Sequence, residues 1–271
     1  MFLSNAFERK ININDEIGIS IVTYNSPDIF KTLDNFTSEI LPNFACRIYI
    51  YDNNSDESFK NRLSTYEGER VQIHFSSKNS GFGHGHNYNV NRFHEEFLLI
   101  CNPDILVSQA DFQKLWNYLH ANRNVMVAPK VVYPDAKVQY LIRRKLDVFD
   151  YMLRFIPFKF VKKMFDRRLS AFECRDLSDD IQTVKFASGC FMFTRVSDFS
   201  QVGGFDERFF MYFEDNDFCQ KFRQQKKQIV YFPDAAVIHF YGKEAHRSFK
   251  VFKIFITSMV QYFNKWGWKF F

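Results

Sequence analysis

The chain has 271 residues, 46% apolar side chains and a formal charge of +5, apolar mass enough for one large α/β domain or two small ones and too much for a disordered chain. So modest a charge, without a zinc finger, an RRM signature or a recognition helix, makes nucleic acid an unexpected partner. No run of about 18 apolar residues and no signal-peptide pattern occurs, so neither a membrane span nor export is expected, and the expected address is the cytoplasm.

In chain order, apolar runs at Ile17 to Thr23, Arg47 to Tyr51, Val71 to Phe75 and Phe97 to Cys101 predict strands, separated by predicted helices at Pro27 to Ile40, Glu57 to Tyr66 and Gly85 to Glu96. Such alternation predicts a Rossmann-like, mainly parallel sheet with helices on both faces. Ligands of these sheets sit beyond the carboxyl ends of the strands. Here those ends carry Thr23-Tyr24-Asn25, Asp52-Asn53-Asn54-Ser55, Ser77 to Gly81 and Asn102-Pro103-Asp104, all able to hydrogen-bond. In the second half, Val125 to Val132, Val184 to Phe193, Ile229 to Phe232 and Ala236 to Phe240 predict strands, and Gly203-Gly204 and Pro233-Asp234 predict turns. A basic, aromatic insertion covers 140–180. With no repeat or linker, residues 1–245 are expected to form one domain, followed by a C-terminal helical segment over 246–271.

The densest chemistry lies in Phe209 to Asp217, where Glu214, Asp215 and Asp217 follow an aromatic run. Clustered acids repel one another and resist desolvation, so they are either used or form the solvated start of a helix over Asn216 to Gln225. Asp217 suits a cap. Gly81-x-Gly83-x-Gly85 opens a helix and would let backbone N–H groups approach phosphate. It is neither G-x-G-x-x-G nor a P-loop. His84 and His86 read as helix-entry or solvent-facing residues, not metal ligands. The five cysteines, without C-x-x-C spacing, read as reduced core thiols.

These pieces, in this order, resemble the inverting family-2 glycosyltransferases of the GT-A fold, particularly bacterial rhamnosyltransferases of cell-surface polysaccharide (O-antigen or capsule) synthesis. The matching segments are Ile21 to Asn25, Asp52 to Ser55, Asn79 to Gly83 with Asn87, Asn102-Pro103-Asp104, Ala187 to Met192, Gly203 to Glu207, Phe213 to Asp217 and Val237-Ile238-His239. The resemblance implies that Asp52 accepts the N3 proton of a uracil or thymine ring, though an Asx turn is the equal alternative. It implies that Thr23 and Asn25 flank base and ribose, and that Asn54, Asn79, Gly81, Gly83, Asn87 and Asn102 line the donor site. Ser188 and Gly189 would form the floor. Asp104 and His239 would hold Mg²⁺ or Mn²⁺ with the donor diphosphate, with one charged ligand lost because Asn102 stands where the family has an acid. Asp215 would be the general base and Glu214 its helper.

The expected partners are therefore a nucleotide-sugar donor, with dTDP-L-rhamnose the best single reading and a UDP-activated hexose or galactofuranose the alternative, and a lipid-linked saccharide acceptor. A sugar-phosphate nucleotidyltransferase lacks support, because Thr23 to Pro27 occupies the place of its basic glycine-rich loop; a non-catalytic nucleotide-sugar or membrane-surface binding module is the rival outside enzymes. Two basic aromatic stretches, Arg143 to Arg168 and Lys243 to Lys269, suit an anionic membrane surface. The amphipathic helix expected over Lys250 to Asn264 either lies in that surface or packs on the domain.

Overall fold

The computed structural model describes residues 17–156, 158–240 and 249–271. Residues 1–16, the domain boundary expected at 245 and the start of the second basic stretch lie outside the described residues. The first half follows the expected alternation: β1 (Ile17–Thr23), α1 (Ile29–Asn35) running on into a π turn at Phe36–Ile40, β2 (Cys46–Asp52), α2 (Glu57–Ser64), β3 (Val71–Phe75), α3 (Phe82–Val90) and β4 (Phe97–Cys101). The four strands are parallel in the order β3-β2-β1-β4. Asp52 and Thr23 are register partners, so the polar strand ends come together along one edge of the parallel half.

β5 (Ile105–Val107) and α4 (Gln109–Ala121) follow, then β6 (Val125–Val132), the insertion helices α5 (Val148–Phe155), α6 (Lys159–Met164) and α7 (Asp166–Phe172), β7 (Gln182–Val184), β8 (Phe191–Arg195), α8 (Val196–Gln201), α9 (Glu214–Gln224), β9 (Gln228–His239) and α10 (Phe249–Trp266). Ser108 caps α4, accepting the Asp111 N–H at 3.1 Å. The sheet continues past β4 as β8-β6-β9-β5, with β8 antiparallel to both neighbours, β9 parallel to β6, and β5 antiparallel to β9.

Two expected elements differ. Val184 to Phe193 is not one strand: β7 pairs with β9 and β8 with β4, and residues 185–190 cross between them carrying Ser188, Gly189 and Cys190. Pro233-Asp234 is not a turn but a bulge inside β9, whose register on β6 jumps from Phe232 against Pro129 to Ala236 against Lys130. One long strand thereby pairs with β7 at its start and with β5 at its end.

Strand period sorts the core into two layers. Leu99 and Cys101 of β4 join Leu33, Phe36 and Phe112 on one face, and Leu98 and Ile100 join Phe199, Phe222 and Phe263 on the other. All five cysteines are free and buried, and burial pushes the Cys46 and Cys190 thiols up to about 12.

The apolar face of α10 belongs to the second layer: Phe255, Met259, Tyr262 and Phe263 are buried there. Its polar groups are also engaged, Ser258 Oγ donating to the Met211 carbonyl at 2.8 Å and Trp266 Nε1–H to Asp217 Oδ1 at 2.7 Å. Lys265 pairs with Asp206 and Asp217, both at 2.7 Å. The possible membrane anchor over 246–271 is corrected in this respect: the apolar stripe of α10 is occupied by the domain. Asp217 is corrected with it, from a turn cap to a buried bracket for α10.

Candidate active site

The register of β5 on β9 pairs Ile105 with His239, which sets Asp104, one residue earlier, beside the imidazole. His239 Nε2 stands 3.2 Å from Asp104 Oδ1 and 3.4 Å from Asn102 Nδ2. Gln139 decides which imidazole nitrogen carries hydrogen. Its Nε2 donates to the carbonyls of His239 (2.7 Å) and Val132 (3.3 Å), so its Oε1 faces His239 Nδ1 at 3.0 Å and accepts from an Nδ1–H. The Nε2 lone pair is then aimed at a carboxylate oxygen that is buried without a hydrogen bond. Two facing acceptors at that distance fit a cation between them. Among the described residues no third His, Cys, Asp or Glu joins them; a Mg²⁺- or Mn²⁺-type ion suits so small a protein ligand set, with phosphate and water completing it. Thr32 locks the same turn, donating to the Pro103 carbonyl at 2.9 Å and accepting the Ile105 N–H at 3.1 Å.

Across the 188–190 segment lies the acidic cluster. Asn102 N–H donates to the Cys190 carbonyl at 2.9 Å, and Gly189 N–H donates to Asp215 Oδ2 at 3.1 Å. Gly189 and Cys190 thus link the backbone of Asn102, two residues before Asp104, to Asp215. Asp215 is half-buried at the first turn of α9, and burial raises its carboxyl above the ordinary range while the Gly189 and Asn216 amides pull it back. A raised carboxylate is a better proton acceptor near neutral pH. Glu214 is buried, its Oε2 has no hydrogen bond, and burial together with the Asp215 charge raises its carboxyl well above normal. Burial therefore favours its protonated form.

The turn feeding α9 is strained. Tyr212 (φ 71°) and Phe213 (φ 65°) are consecutive left-handed residues, a conformation costing bulky side chains about 1–3 kcal/mol each. The buried Phe213 ring holds it, meeting Tyr151 at 4.7 Å, Phe255 at 5.3 Å and Tyr262 at 5.5 Å.

Several residues expected to touch the donor are occupied structurally. Asp52 is fully buried and its carboxylate accepts the Ser55 N–H at 3.0 Å and the Ser55 hydroxyl, the contact of an Asx-type turn. Asn25 (φ 47°) takes the Ser55 hydroxyl on its N–H at 2.8 Å and accepts the Asp56 N–H on Oδ1 at 3.0 Å, tying the β1 end to the β2 end. Asn87 accepts the Phe205 N–H and donates to the Phe205 carbonyl and Glu207, each at 2.9 Å. It is a clamp.

The glycine run is also a packing device. Gly81 (φ 91°) has room for no side chain, because a Cβ would lie 2.2 Å from the Phe210 carbonyl oxygen. Its N–H donates to Asn79 Oδ1 at 3.1 Å and the Phe82 N–H to Phe210 at 3.0 Å. A Cβ at Gly83 would meet Phe205 at 2.9 Å, so that glycine too serves close packing. His86 is corrected from solvent-facing to fully buried, bonded to Ser20 Oγ at 2.7 Å, and burial lowers it to about 3.

What remains open at the strand ends is polar and unsatisfied. Thr23 Oγ1, Ser80 Oγ and Asp104 Oδ1 are buried without hydrogen bonds, Asn54 (φ 66°) is exposed, and Tyr24 is 56% exposed. Buried orphans at a strand-end crevice mark a ligand site. Sequence reading missed Gln139 and Asn53, whose amide pins the loop by accepting the Ser80 N–H (3.0 Å) and donating to the Gly81 carbonyl (3.2 Å). Asn53 lay inside a motif already noticed, whereas Gln139 had no signal.

The α/β sheet thus brings a carboxylate–imidazole pair to one strand end and a half-buried acid to the neighbouring 188–190 segment. The chain belongs to glycosyl transferase family 2, whose family model matches residues 19–203. The model of the N-terminal domain of galactosyltransferase matches 170–246. Rhamnosyltransferase WbbL of Escherichia coli (strain K12) is 28% identical over 90% of this chain and 91% of its own length. An N-acetylglucosaminyl-diphospho-decaprenol L-rhamnosyltransferase of Mycobacterium tuberculosis is 40% identical over 26% of this chain and 23% of its own. Among solved structures, GalNAc-T7 with UDP, GalNAc and Mn²⁺ superposes at TM-score 0.64 with 14% identity, covering 83% of this chain and 43% of that one. The mannosyltransferase PcManGT of Pyrobaculum calidifontis with GDP-Man and Mn²⁺ does so at 0.62 and 15%, covering 92% and 63%. These two show the GT-A-type fold. The protein is a glycosyltransferase.

Proposed function

We propose that this enzyme transfers L-rhamnose from dTDP-L-rhamnose, with inversion, to a lipid-linked glycan in bacterial surface polysaccharide synthesis, working as a peripheral protein at the cytoplasmic face of the plasma membrane. The near full-length match to a rhamnosyltransferase supports the sugar, and the decaprenol-linked substrate in the name of the shorter relative supports the acceptor class. No helix among the described residues is long and apolar enough to cross a membrane.

The observation that supports the reading is the shared floor: Asp215 accepts the Gly189 N–H, and Asn102, two residues before Asp104 and 3.4 Å from His239, donates its N–H to the adjoining Cys190 carbonyl. An acceptor hydroxyl beside Asp215 loses its proton to that carboxylate as its oxygen bonds to the anomeric carbon. The bond from that carbon to the diphosphate oxygen breaks, and the nucleoside diphosphate departs with the electron pair. Attack from the side opposite the leaving group inverts the anomeric centre. Asp104 and His239 would hold a divalent ion, which supplies positive charge to the diphosphate when bound. Gln139 keeps the His239 lone pair available, and Thr23, Asn54 and Ser80 offer the nucleotide its open polar contacts.

A panel of dTDP-, UDP- and GDP-sugars, read by nucleoside diphosphate release, tests the donor. Release from dTDP-L-rhamnose at least tenfold faster than from any other is expected, with the product anomer inverted by NMR. Turnover of a UDP-hexose or UDP-galactofuranose alone would replace the rhamnosyl assignment, and no release from any donor would favour a binding module.

A further inference from the structure

The two basic aromatic stretches seen in the sequence converge in space. Val148 N–H donates to the Lys269 carbonyl at 2.9 Å and Phe149 N–H to the Phe270 carbonyl at 3.2 Å, so the C-terminal tail runs along the start of α5. The Phe149 ring stacks on Phe271 at 5.0 Å and meets Phe165, at the end of α6, edge-on at 5.3 Å. Arg168 lies over both Phe149 (4.7 Å) and Phe271 (5.3 Å). Insertion and tail form one continuous face.

That face is apolar and open. Phe158, Phe160 and Met164 are 59%, 71% and 70% exposed, and Phe270 and Phe271 are 58% and 78% exposed. Phe158 and Phe160 touch only loosely, at 5.9 Å. Phe160 and Met164, four residues apart on α6, share one side of that helix. Around them Lys163, Arg167 and Lys269 pair with no carboxylate among the described residues, whereas the local acids Asp147, Asp150 and Asp166 are taken by Lys145, Arg168 and Arg175. Exposed aromatics flanked by unneutralised cations fit an anionic lipid surface, where rings enter the headgroup layer and cations meet phosphate.

We propose that α6 and the C-terminal tail together form the face by which this enzyme docks on an anionic phospholipid bilayer. It rests on the proposed function only for its purpose, delivery of a lipid-linked acceptor. A cleft of about 210 Å³ runs from the end of α7 to the active-site floor, lined by Arg175, Tyr140, Tyr231, Gln139, Ser188 and Cys190. The cleft begins at residues 173–175, directly after α7 of the same insertion, and ends at Ser188 and Cys190, which flank the Gly189 amide that Asp215 accepts.

Flotation of the full chain with vesicles of 70% phosphatidylcholine and 30% phosphatidylglycerol tests the proposal without any sugar substrate. Wild type should float with these vesicles, far less with pure phosphatidylcholine, and less as salt rises. The Lys163→Gln/Arg167→Gln variant should partition roughly 30-fold more weakly, from about 1 kcal/mol per cation. Phe158→Ser/Phe160→Ser/Met164→Ser should lose binding roughly tenfold or more with an unchanged melting temperature, and should keep turnover on a water-soluble acceptor analogue. Wild type that does not bind anionic vesicles, or a triple variant that floats as well as wild type, overturns the proposal. So does a wild-type dimer that the triple variant dissolves without any vesicle binding, which would give the face to a second copy. Flotation that behaves as expected in a protein that transfers nothing to lipid-linked acceptors upholds the docking face and sinks the acceptor reading instead.

Discussion

Phe255→Ala isolates the brace that α10 provides. The side chain is 6% exposed and its ring meets Tyr151 at 5.8 Å, Tyr212 at 5.6 Å and Phe213 at 5.3 Å, so it supports both left-handed residues before α9. Deleting all of α10 tests nothing specific: four buried side chains at about 1.5–3 kcal/mol each rival a total stability of about 5–15 kcal/mol. The single substitution should cost about 3–5 kcal/mol, which lowers the melting temperature by roughly 10 °C at about 2–4 °C per kcal/mol for a chain of this size. With that support gone, the strained turn relaxes and Asp215 leaves the Gly189 amide. A displacement on the order of 1 Å at a reacting group costs roughly 100-fold, so kcat measured well below the lowered melting point should fall between about 10- and 100-fold. Affinity for the free nucleoside diphosphate, read by isothermal titration, should stay within about threefold, because the β1 and β2 ends lie outside the contact. An unchanged melting temperature refutes the brace. Full destabilisation with unchanged kcat shows that the turn holds itself.

Asp215→Asn should lower kcat by roughly 10²- to 10⁴-fold, the range of a general base, with nucleotide affinity preserved; activity within threefold of wild type would remove Asp215 from the role. Glu214→Gln reports on burial: because the folded carboxyl titrates above the unfolded one, its contribution is intact at acid pH and is lost as pH rises, by at most about 1.4 kcal/mol per unit. The variant should therefore melt with wild type near pH 4 and above it at pH 8, and a gap that ignores pH would contradict a neutral Glu214. Gln139→Leu frees the His239 tautomer and should weaken Mn²⁺ binding to the resting enzyme by roughly 10- to 100-fold, measured by electron paramagnetic resonance. Equal Mn²⁺ affinity would falsify the tautomer lock, and full wild-type activity in excess chelator would dismiss the ion altogether.

The sequence revealed the parallel half and the places where polar residues end its strands, because apolar runs and their punctuation depend only on near neighbours. The family resemblance, more than residue type, singled out Asp104, His239 and Asp215, and the fold sets the first two 3.2 Å apart. It did not reveal what each polar residue bonds to. Asn87 and Asp52 read as donor contacts because an amide or carboxylate looks the same whether it faces a ligand or another loop. Gly81 and Gly83 show the same ambiguity, since a position that must lack a Cβ does not disclose in sequence that Phe210 or Phe205 packs against it. Gln139 was invisible: its function exists only through the β6–β9 and β5–β9 registers, which no local pattern encodes. The fate of α10 needed the partner surface, because an apolar stripe fits a bilayer and a core equally well.

Consecutive left-handed aromatics at Tyr212 and Phe213 set heat resistance against turnover in this enzyme. Glycine adopts that backbone without a Cβ penalty, so selection for thermal survival alone can trade the partly exposed Tyr212 ring and its contact with Phe255 for release of backbone strain. The same change frees the backbone two residues before Glu214, where the turn sets the position of the Asp215 carboxylate that accepts the Gly189 N–H. Directed evolution for robustness should therefore be run with activity as a simultaneous filter, or it will accumulate hardy variants with an idle active site.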